Sequence, residues 1–433
     1  PYGLINPGVI INKNKFAHIE HLKPLPAAHE LIDKCMECSF CEHACVAEGL
    51  TLSLRPRIVV AREIAALTES GVDPDRLKTF KEDAAYLFDE TCATDGLCAI
   101  ACPVHIDTGK YVKQQRFYTN SARSVKIAAY LGHRMGGVTS KGRFALNVVD
   151  GFHTMLGSGM MGAIAGGMRK ISGNRIPQWT KEMPKGSHQI KGDRKHPEDK
   201  GKVVYFPSCI NRTMGKSKSY EKEEVELTKK TEELLLRAGY SIIYPANIDS
   251  LCCGMAFSSK GFKEEGARKR KELEDALFEA SGHGAYPVLF DMSPCFYTFL
   301  EGFHRKDFKV YDPIEFMYEH VMPKLAVKQK KKETVVYPVC SVKKIAKESM
   351  LYELAQMCSE KVIMVESNCC GFAGDRGFTY PELNEHGLRS LKEQIPASCA
   401  VGYSTSRTCE IGMASRSGIN FKSIIYLLDE VTK

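Results

Sequence analysis

The sequence predicts a mixed fold: an α-helical domain built on two cysteine motifs, followed by two tandem α/β repeats with parallel sheets. Three observations predict it. Cysteines crowd residues 35–102 at the spacing of cluster ligands. From residue 202 short β-branched runs alternate with amphipathic helices. That second region also repeats itself. VVYFPSC (203–209) recurs as VVYPVC (335–340), DSLCCGMAFSSKGF (249–262) as ESNCCGFAGDRGF (366–378), and MSPC (292–295) as SRTC (406–409). Order is kept while loop lengths differ, so one domain has been duplicated.

The totals set bounds. A chain of 433 residues holds roughly two to four domains. Its 43% apolar and 26% charged content is ordinary for a globular protein. The net charge of +8 permits an acidic partner or a membrane surface, but no nucleic-acid motif accompanies it. Seventeen cysteines without a secretory signal point to metal ligation in a reducing compartment, hence a cytoplasmic location, free or peripheral on the inner face of the cell membrane. No stretch reaches the roughly 18 apolar residues of a spanning helix. The chain opens on Pro1, which predicts that a segment upstream has been removed or is not shown.

Taken in order, residues 1–30 lack a helical period, are rich in Pro, Asn and Gly, and read as an extended arm. Residues 31–130 form the predicted cysteine domain. CMECSFCEHAC places Cys35, Cys38, Cys41 and Cys45 in C-x2-C-x2-C-x3-C, the wrapping motif of a cubane iron–sulfur cluster. TCATDGLCAIACP places Cys92, Cys98 and Cys102 before Pro103, with Asp95 where a further cysteine would stand. Paired motifs of this kind exchange their fourth ligands. The first cluster then takes Cys35, Cys38, Cys41 and Cys102, and the second takes Cys92, Cys98 and Cys45, with Asp95 nearby. A carboxylate is a harder, weaker iron ligand than a thiolate. The second cluster is therefore either an Asp-ligated 4Fe–4S centre or a 3Fe–4S centre. The competing role for Asp95 is capping the short helix that carries Cys98. Structural zinc is the competing metal. His43 and His105 are expected behind the ligands, as hydrogen-bond donors. RIVVAREIAAL (57–67), LKTFKEDAAYLF (77–88) and residues 104–130 have helical periodicity, which makes this a helical, two-cluster ferredoxin-like unit.

Residues 131–201 join a Gly/Met-rich helical segment to a basic linker. Arg134, Lys141, Arg143, Arg169 and Lys170 flank the helical part, which either packs on its own protein or rests on an anionic membrane face. Gly157, Gly159 and Gly162 match G-x-G-x-x-G, but no strand precedes them, so the match is chance. Residues 178–201, with Trp179, are Pro-broken and polar.

The repeats span 202–325 and 326–433. Cys209, Cys252, Cys253 and Cys295 each follow a predicted strand, and so do Cys340, Cys369, Cys370 and Cys409. Carboxyl ends of parallel strands line the ligand crevice, so four thiols per repeat converge and can hold a further cluster. The alternative is inert buried thiols, the role expected of Cys358 and Cys399. The basic runs at 267–275 and 330–333 read as solvated surface.

These residues carry a resemblance. The string GLINPGVI resembles the close of the C-terminal domain of FAD-linked oxidases. The C…CCG repeats are similar to cysteine-rich domains of heterodisulfide reductases and of iron–sulfur subunits in lactate and glycerol-3-phosphate oxidation. This sequence departs from the reductase pattern, because Met292 and Ser406 stand where C-x2-C would begin. Taken whole, the chain resembles the C-terminal half of bacterial FAD-linked D-lactate dehydrogenases of the fused type. The resemblance implies an electron-transfer module that accepts electrons from an upstream flavin domain and passes them to a quinone or other carrier. With no flavin or nicotinamide fingerprint here, FAD is expected only on that upstream domain, and the chain alone should not oxidise a hydroxy acid. A heterodisulfide-reductase-like thiol/disulfide subunit and a zinc-stapled scaffold are the alternatives.

Overall fold

The structure is a computed structural model that describes residues 25–198, 201–222, 224–305 and 307–433. The expected arm at 1–30 therefore lies outside the described residues as far as residue 24.

Helices dominate the first part. Helix α1 (Leu54–Ser70) buries Leu54, Ile58, Ala61 and Leu67 together with Arg57 and Arg62. It ends where Gly71 takes φ 65°, a left-handed cap that glycine accepts without strain. Helix α2 (Pro74–Ala84) starts on proline, with Asp73 accepting the Arg76 N–H, and runs on through a wider turn to Glu90. After α3 (Leu97–Ala101), the span expected to be one helix over 104–130 is two, α4 (Thr108–Thr119) and α5 (Ala122–His133). The break is chemical: Asn120 turns extended, and the Ser121 hydroxyl accepts the Ser124 N–H as a fresh N-cap. Helix α6 (Met135–Ile171) is kinked at Gly157, whose φ 74° and ψ 167° are not helical. Gly157, Gly159 and Gly162 thus lie within a helix rather than after a strand. Trp179 stacks edge-on against His153 at 4.9 Å between ring centroids. The expected linker is partly ordered, since β1 (Pro184–Gly186) pairs antiparallel with β3 (Met214–Ser217).

Two four-stranded parallel sheets follow. The first uses β2 (Gly201–Phe206), β4 (Tyr240–Ile243), β5 (Val288–Phe290) and β6 (Val310–Tyr311), in the order β4-β2-β5-β6. The second uses β7 (Lys331–Val336), β8 (Ser359–Met364), β9 (Val401–Ser404) and β10 (Asn420–Ser423), in the order β8-β7-β9-β10. In each sheet the second strand of the repeat lies outside the first, and the third and fourth lie on the other side. The duplication seen in the sequence is therefore a duplication of topology. Val203 to Phe206 form an unbroken buried run, as a strand covered on both faces requires.

One apolar core spans both repeats, joining Val203, Tyr205 and Leu234 to Val335, Leu354 and Leu427. Helix α7 (Leu227–Arg237) packs on the last helix, α8 (Ile424–Thr432). Between them lies a buried charge cluster in which Lys230 reaches Asp429 at 2.6 Å and Glu224 at 2.9 Å, and Lys422 reaches Glu224 at 3.1 Å. Opposite charges compensate there, which is what keeps buried ions tolerable. The two third-strand loops also meet, with Ser293 N–H donating to the Thr405 carbonyl at 3.2 Å.

Candidate metal centre

The cysteines of the first part line two separate recesses. One is walled by Cys35, Cys38, Cys41 and Cys102, with Met36, Arg55, Pro103 and Ile106 around them. The other is walled by Cys45, Cys92, Asp95 and Cys98, with Arg57, Thr108 and Gly109. Backbone geometry explains the crossing. Cys45 follows the short helical turn Glu42–Ala44, and Cys102 follows α3. Both adopt nearly the same extended conformation, φ −87° with ψ 124° and 123°. Each fourth cysteine thus swings off its helix end into the other motif's recess. Positive φ at Glu37 and Ser39 lets the first loop curl back on itself.

Burial raises the Cys35, Cys41, Cys45 and Cys98 thiols above the usual cysteine range. Burial pushes Cys41 up to about 11, with Cys102 adding to the shift. Burial, opposed by Arg57, raises Cys45. Burial and then the Asp107 and Asp95 carboxylates push Cys98 far up. Thiols so placed give up their protons only when a cation enters among them.

Two arginines that the sequence reading did not single out answer what kind of occupant fits. Arg57 is 1% exposed. Its Nη1 lies 3.5 Å from Cys45 Sγ and its Nη2 3.5 Å from Thr91 Oγ1, while Nε has no hydrogen-bond partner. Among the described residues no carboxylate pairs with it. An uncompensated buried guanidinium is costly, so the second recess suits a group of net negative charge, as a thiolate-ligated iron–sulfur cluster is. Beside the first recess, buried Arg62 pairs with Glu37 at 3.0 Å and donates to the Cys35 carbonyl at 2.9 Å. The signal in the sequence was present: both arginines interrupt the apolar face of RIVVAREIAAL.

Asp95 does two things. Its Oδ1 accepts the Leu97 N–H at 3.0 Å, which is the capping role. Its carboxyl also lines the recess and accepts a hydrogen bond from the Cys369 thiol. Burial holds it above the usual carboxylate range. His105 Nδ1 engages the Ala99 carbonyl at 3.2 Å and not a sulfur. Among the described residues, no group of three or more His, Cys, Asp or Glu is set to hold a single metal ion.

Each repeat gathers its four thiols at the carboxyl ends of its strands. In the first, Cys209 opens a short helix after β2, Cys252 and Cys253 follow β4, and Cys295 sits after β5 in the helix Ser293–Leu300. Cys209 Sγ and Cys252 Sγ are 3.9 Å apart, and Cys253 bridges Cys252 to Cys295 by hydrogen bonds. The second repeat reproduces the chain: Cys340 to Cys369, Cys369 to Cys370, and Cys370 to Cys409 at 3.0 Å. The thiol–thiol hydrogen bonds and burial push Cys209 and Cys340 well up. Gly254 and Gly371 turn the CCG loops at φ 87° and 68°, where an added Cβ would lie 2.2 Å from the carbonyl oxygens of Gly266 and Leu383. Three residues after the first cysteine, each repeat places a cation on its CCG loop: Arg212 donates to the Leu251 carbonyl and Lys343 to the Ser367 carbonyl at 2.6 Å. Cys358 and Cys399 lie apart from both sets, in the shared core.

One juxtaposition had no signal in the sequence. Val46 and Ala93 of the second recess, with their neighbours Ala47 and Leu97, pack against Cys369 and Leu383, with Cys45 and Cys340 at the edge. The second recess and the thiols of the second repeat are neighbours. The cysteine loops are tied there by Asn368 donating to the His43 carbonyl at 2.5 Å and Arg376 pairing with Glu90 at 2.9 Å.

Residues 203–299 match the CCG family of cysteine-rich domains. Such domains are found in iron–sulfur-containing oxidase subunits. The match covers most of the first repeat, and the second lies outside it. No curated protein and no solved structure matches the chain. The mixed α/β architecture with parallel sheets agrees with the fold class expected from the sequence, and the CCG domain with its cysteines agrees with an iron–sulfur or redox module.

Proposed function

We propose that the chain is the iron–sulfur electron-transfer module of an FAD-linked, D-lactate-type 2-hydroxy-acid dehydrogenase, passing electrons from the flavin to a quinone or other carrier. The observation that carries this reading is the sorting of seven cysteines and Asp95 into two recesses with exchanged fourth residues. Cys35, Cys38, Cys41 and Cys102 would hold the first cluster, and Cys45, Cys92 and Cys98 the second, with Asp95 at its open corner. A bound cluster takes up and releases one electron at a time. The protein's own part is to neutralise and to insulate. Arg57 and Arg62 set positive charge against the thiolates, and α1, α4 and the turn at Phe88 close apolar side chains over the first set. The packing of the second recess on Cys340 and Cys369 offers a short onward path into the second repeat.

The test is iron and acid-labile sulfide per chain on protein purified without oxygen. Roughly seven or eight iron atoms mean the two recesses alone are filled, and roughly eleven to sixteen mean the repeats hold clusters as well. Zinc with almost no iron overturns the reading. Robust D-lactate-dependent dye reduction by this chain alone would overturn its assignment as a module without the donor site.

A further inference from the structure

Helices α5 and α6 carry a surface that nothing in the proposed electron path uses. On α6, before the kink, Phe144 (70% exposed), Val148, Phe152 and Met155 stand on the surface, and after it Met160, Ile164, Met168 and Ile171 (90%). Each run steps by four, four and three residues, which puts it on one face of its own helical segment. Ile127 and Tyr130 of α5 are exposed as well. An apolar surface of this extent marks a place that another body covers.

Charge narrows what that body is. From Tyr118 to Ile176 the sequence holds eight Lys and Arg and a single carboxylate, Asp150, so nearly all of the chain's net charge of +8 lies in this stretch. Asp150 is already paired, with Lys218 at 3.4 Å. Two of the cations fasten α6 to the body of the protein: Arg143 pairs with Asp249 at 3.2 Å, and Arg169 donates to the carbonyls of Phe378 and Thr379. The others, Arg123, Lys126, Arg134, Lys141, Lys170 and Arg175, are exposed, and among the described residues no carboxylate pairs with them. Their placement follows the apolar runs. Lys141 stands three residues before Phe144 and seven before Val148, on the same helical face. Lys170 and Arg175 close the other end, beside Ile171.

A second copy of the chain would set these cations against themselves with no carboxylate to answer them, and like charges facing across an interface are costly. An anionic lipid surface answers both halves of the pattern. It takes apolar side chains into the acyl boundary while Lys and Arg reach the headgroup phosphates. Being fluid, it also receives both segments of α6 without requiring one fixed angle at the Gly157 kink. Among the described residues no helix is long and apolar enough to cross a membrane, so the contact is lateral. We propose that α5 and α6 form a peripheral docking face for anionic phospholipid, with Phe144, Phe152, Met160 and Ile164 entering the interface and Lys141 and Lys170 at the headgroups. The proposal rests on none of the metal assignments.

Co-sedimentation of the full chain with lipid vesicles tests it. The wild type should bind vesicles of phosphatidylcholine mixed with phosphatidylglycerol and leave pure phosphatidylcholine vesicles alone. Lys141→Gln/Lys170→Gln should weaken that partition by ~30-fold, the effect of two cations near an anionic surface. Phe152→Gln/Ile164→Gln should weaken it by at least ~10-fold through lost apolar burial, with circular dichroism unchanged. If the apolar variant fails to fold, the lysine variant, confined to exposed side chains, still reads the contact. Lys78→Gln/Lys81→Gln removes the same charge from exposed positions on α2 and should bind as the wild type does. A wild type that ignores the anionic vesicles, or binds neutral ones equally, overturns the proposal, as does binding indifferent to both variants. A wild type that stays off the vesicles and sediments as a dimer dissociated by Phe152→Gln/Ile164→Gln gives the face to a second copy and overturns it too.

Discussion

Replacing Arg57 by Gln removes a buried positive charge aimed at the second recess while keeping most of the side chain's volume. The guanidinium lies 3.5 Å from Cys45 Sγ, and among the described residues no carboxylate neutralises it. A unit charge at that distance and an effective dielectric near 20 interacts by roughly 5 kcal/mol with another. The charge of a cluster is spread over several atoms, and water enters when the guanidinium leaves. About 2 kcal/mol of that interaction should distinguish the reduced from the oxidised state, or ~80 mV for one electron. The sign follows from the charge: a cation favours the more negative, reduced form, so Arg57→Gln should lower the potential of the second centre by ~80 mV. Arg57→Lys should retain most of it. The assay is a potentiometric titration followed by electron paramagnetic resonance, with iron content measured on the same sample. Arg76, exposed and paired with Glu63 at 2.8 Å away from both recesses, is the control, and Arg76→Gln should shift neither centre appreciably. An Arg57→Gln protein with full iron and an unchanged or raised potential would refute the assignment of negative charge to this recess.

Other outcomes follow from the same geometry. Cys102→Ser should perturb the resonance of the centre held by Cys35, Cys38 and Cys41, although Cys102 belongs by sequence to the other motif; loss of the second centre alone would contradict the exchange. Gly371→Ala forces a Cβ onto the Leu383 carbonyl at φ 68° and should cost ~1–3 kcal/mol in urea unfolding; a neutral result would show that the CCG loop relaxes freely. Arg116 is buried, pairs with Asp89 at 2.6 Å, and donates to the carbonyls of Cys92 and Ser259, so Arg116→Ala should destabilise by ~3 kcal/mol. Burial pushes Asp312 up to about 6 in the folded chain. The unfolded carboxyl ionises near 4, so this group's contribution is greatest below about pH 4 and falls by roughly 3 kcal/mol as pH rises to about 6. Asp312→Asn should flatten that part of the stability profile, and an unchanged slope between pH 4 and 6 would exclude Asp312 as its source.

What the sequence by itself determined was local and periodic. Three cysteines two residues apart, a proline after Cys102, and β-branched runs alternating with helices depend on neighbours along the chain. That is why Cys35, Cys38 and Cys41, the helices over 57–67 and 77–88, and the parallel character of both sheets were legible. Duplication was legible too, because order survives changes in loop length. Tertiary structure decided the rest. The break at Ser121 turned on one hydroxyl finding an N–H. Nothing in the spacing of TCATDGLC says that Asp95 meets Cys369, because that contact joins residues far apart whose approach depends on how two domains pack. Arg57 and Arg62 were not singled out in the sequence, and only their burial gave them a role. The sequence left α6 either packed on its own protein or resting on a membrane face, and only the fold, by packing Met135, Thr139 and His153 inward, left Phe144 and Ile171 exposed.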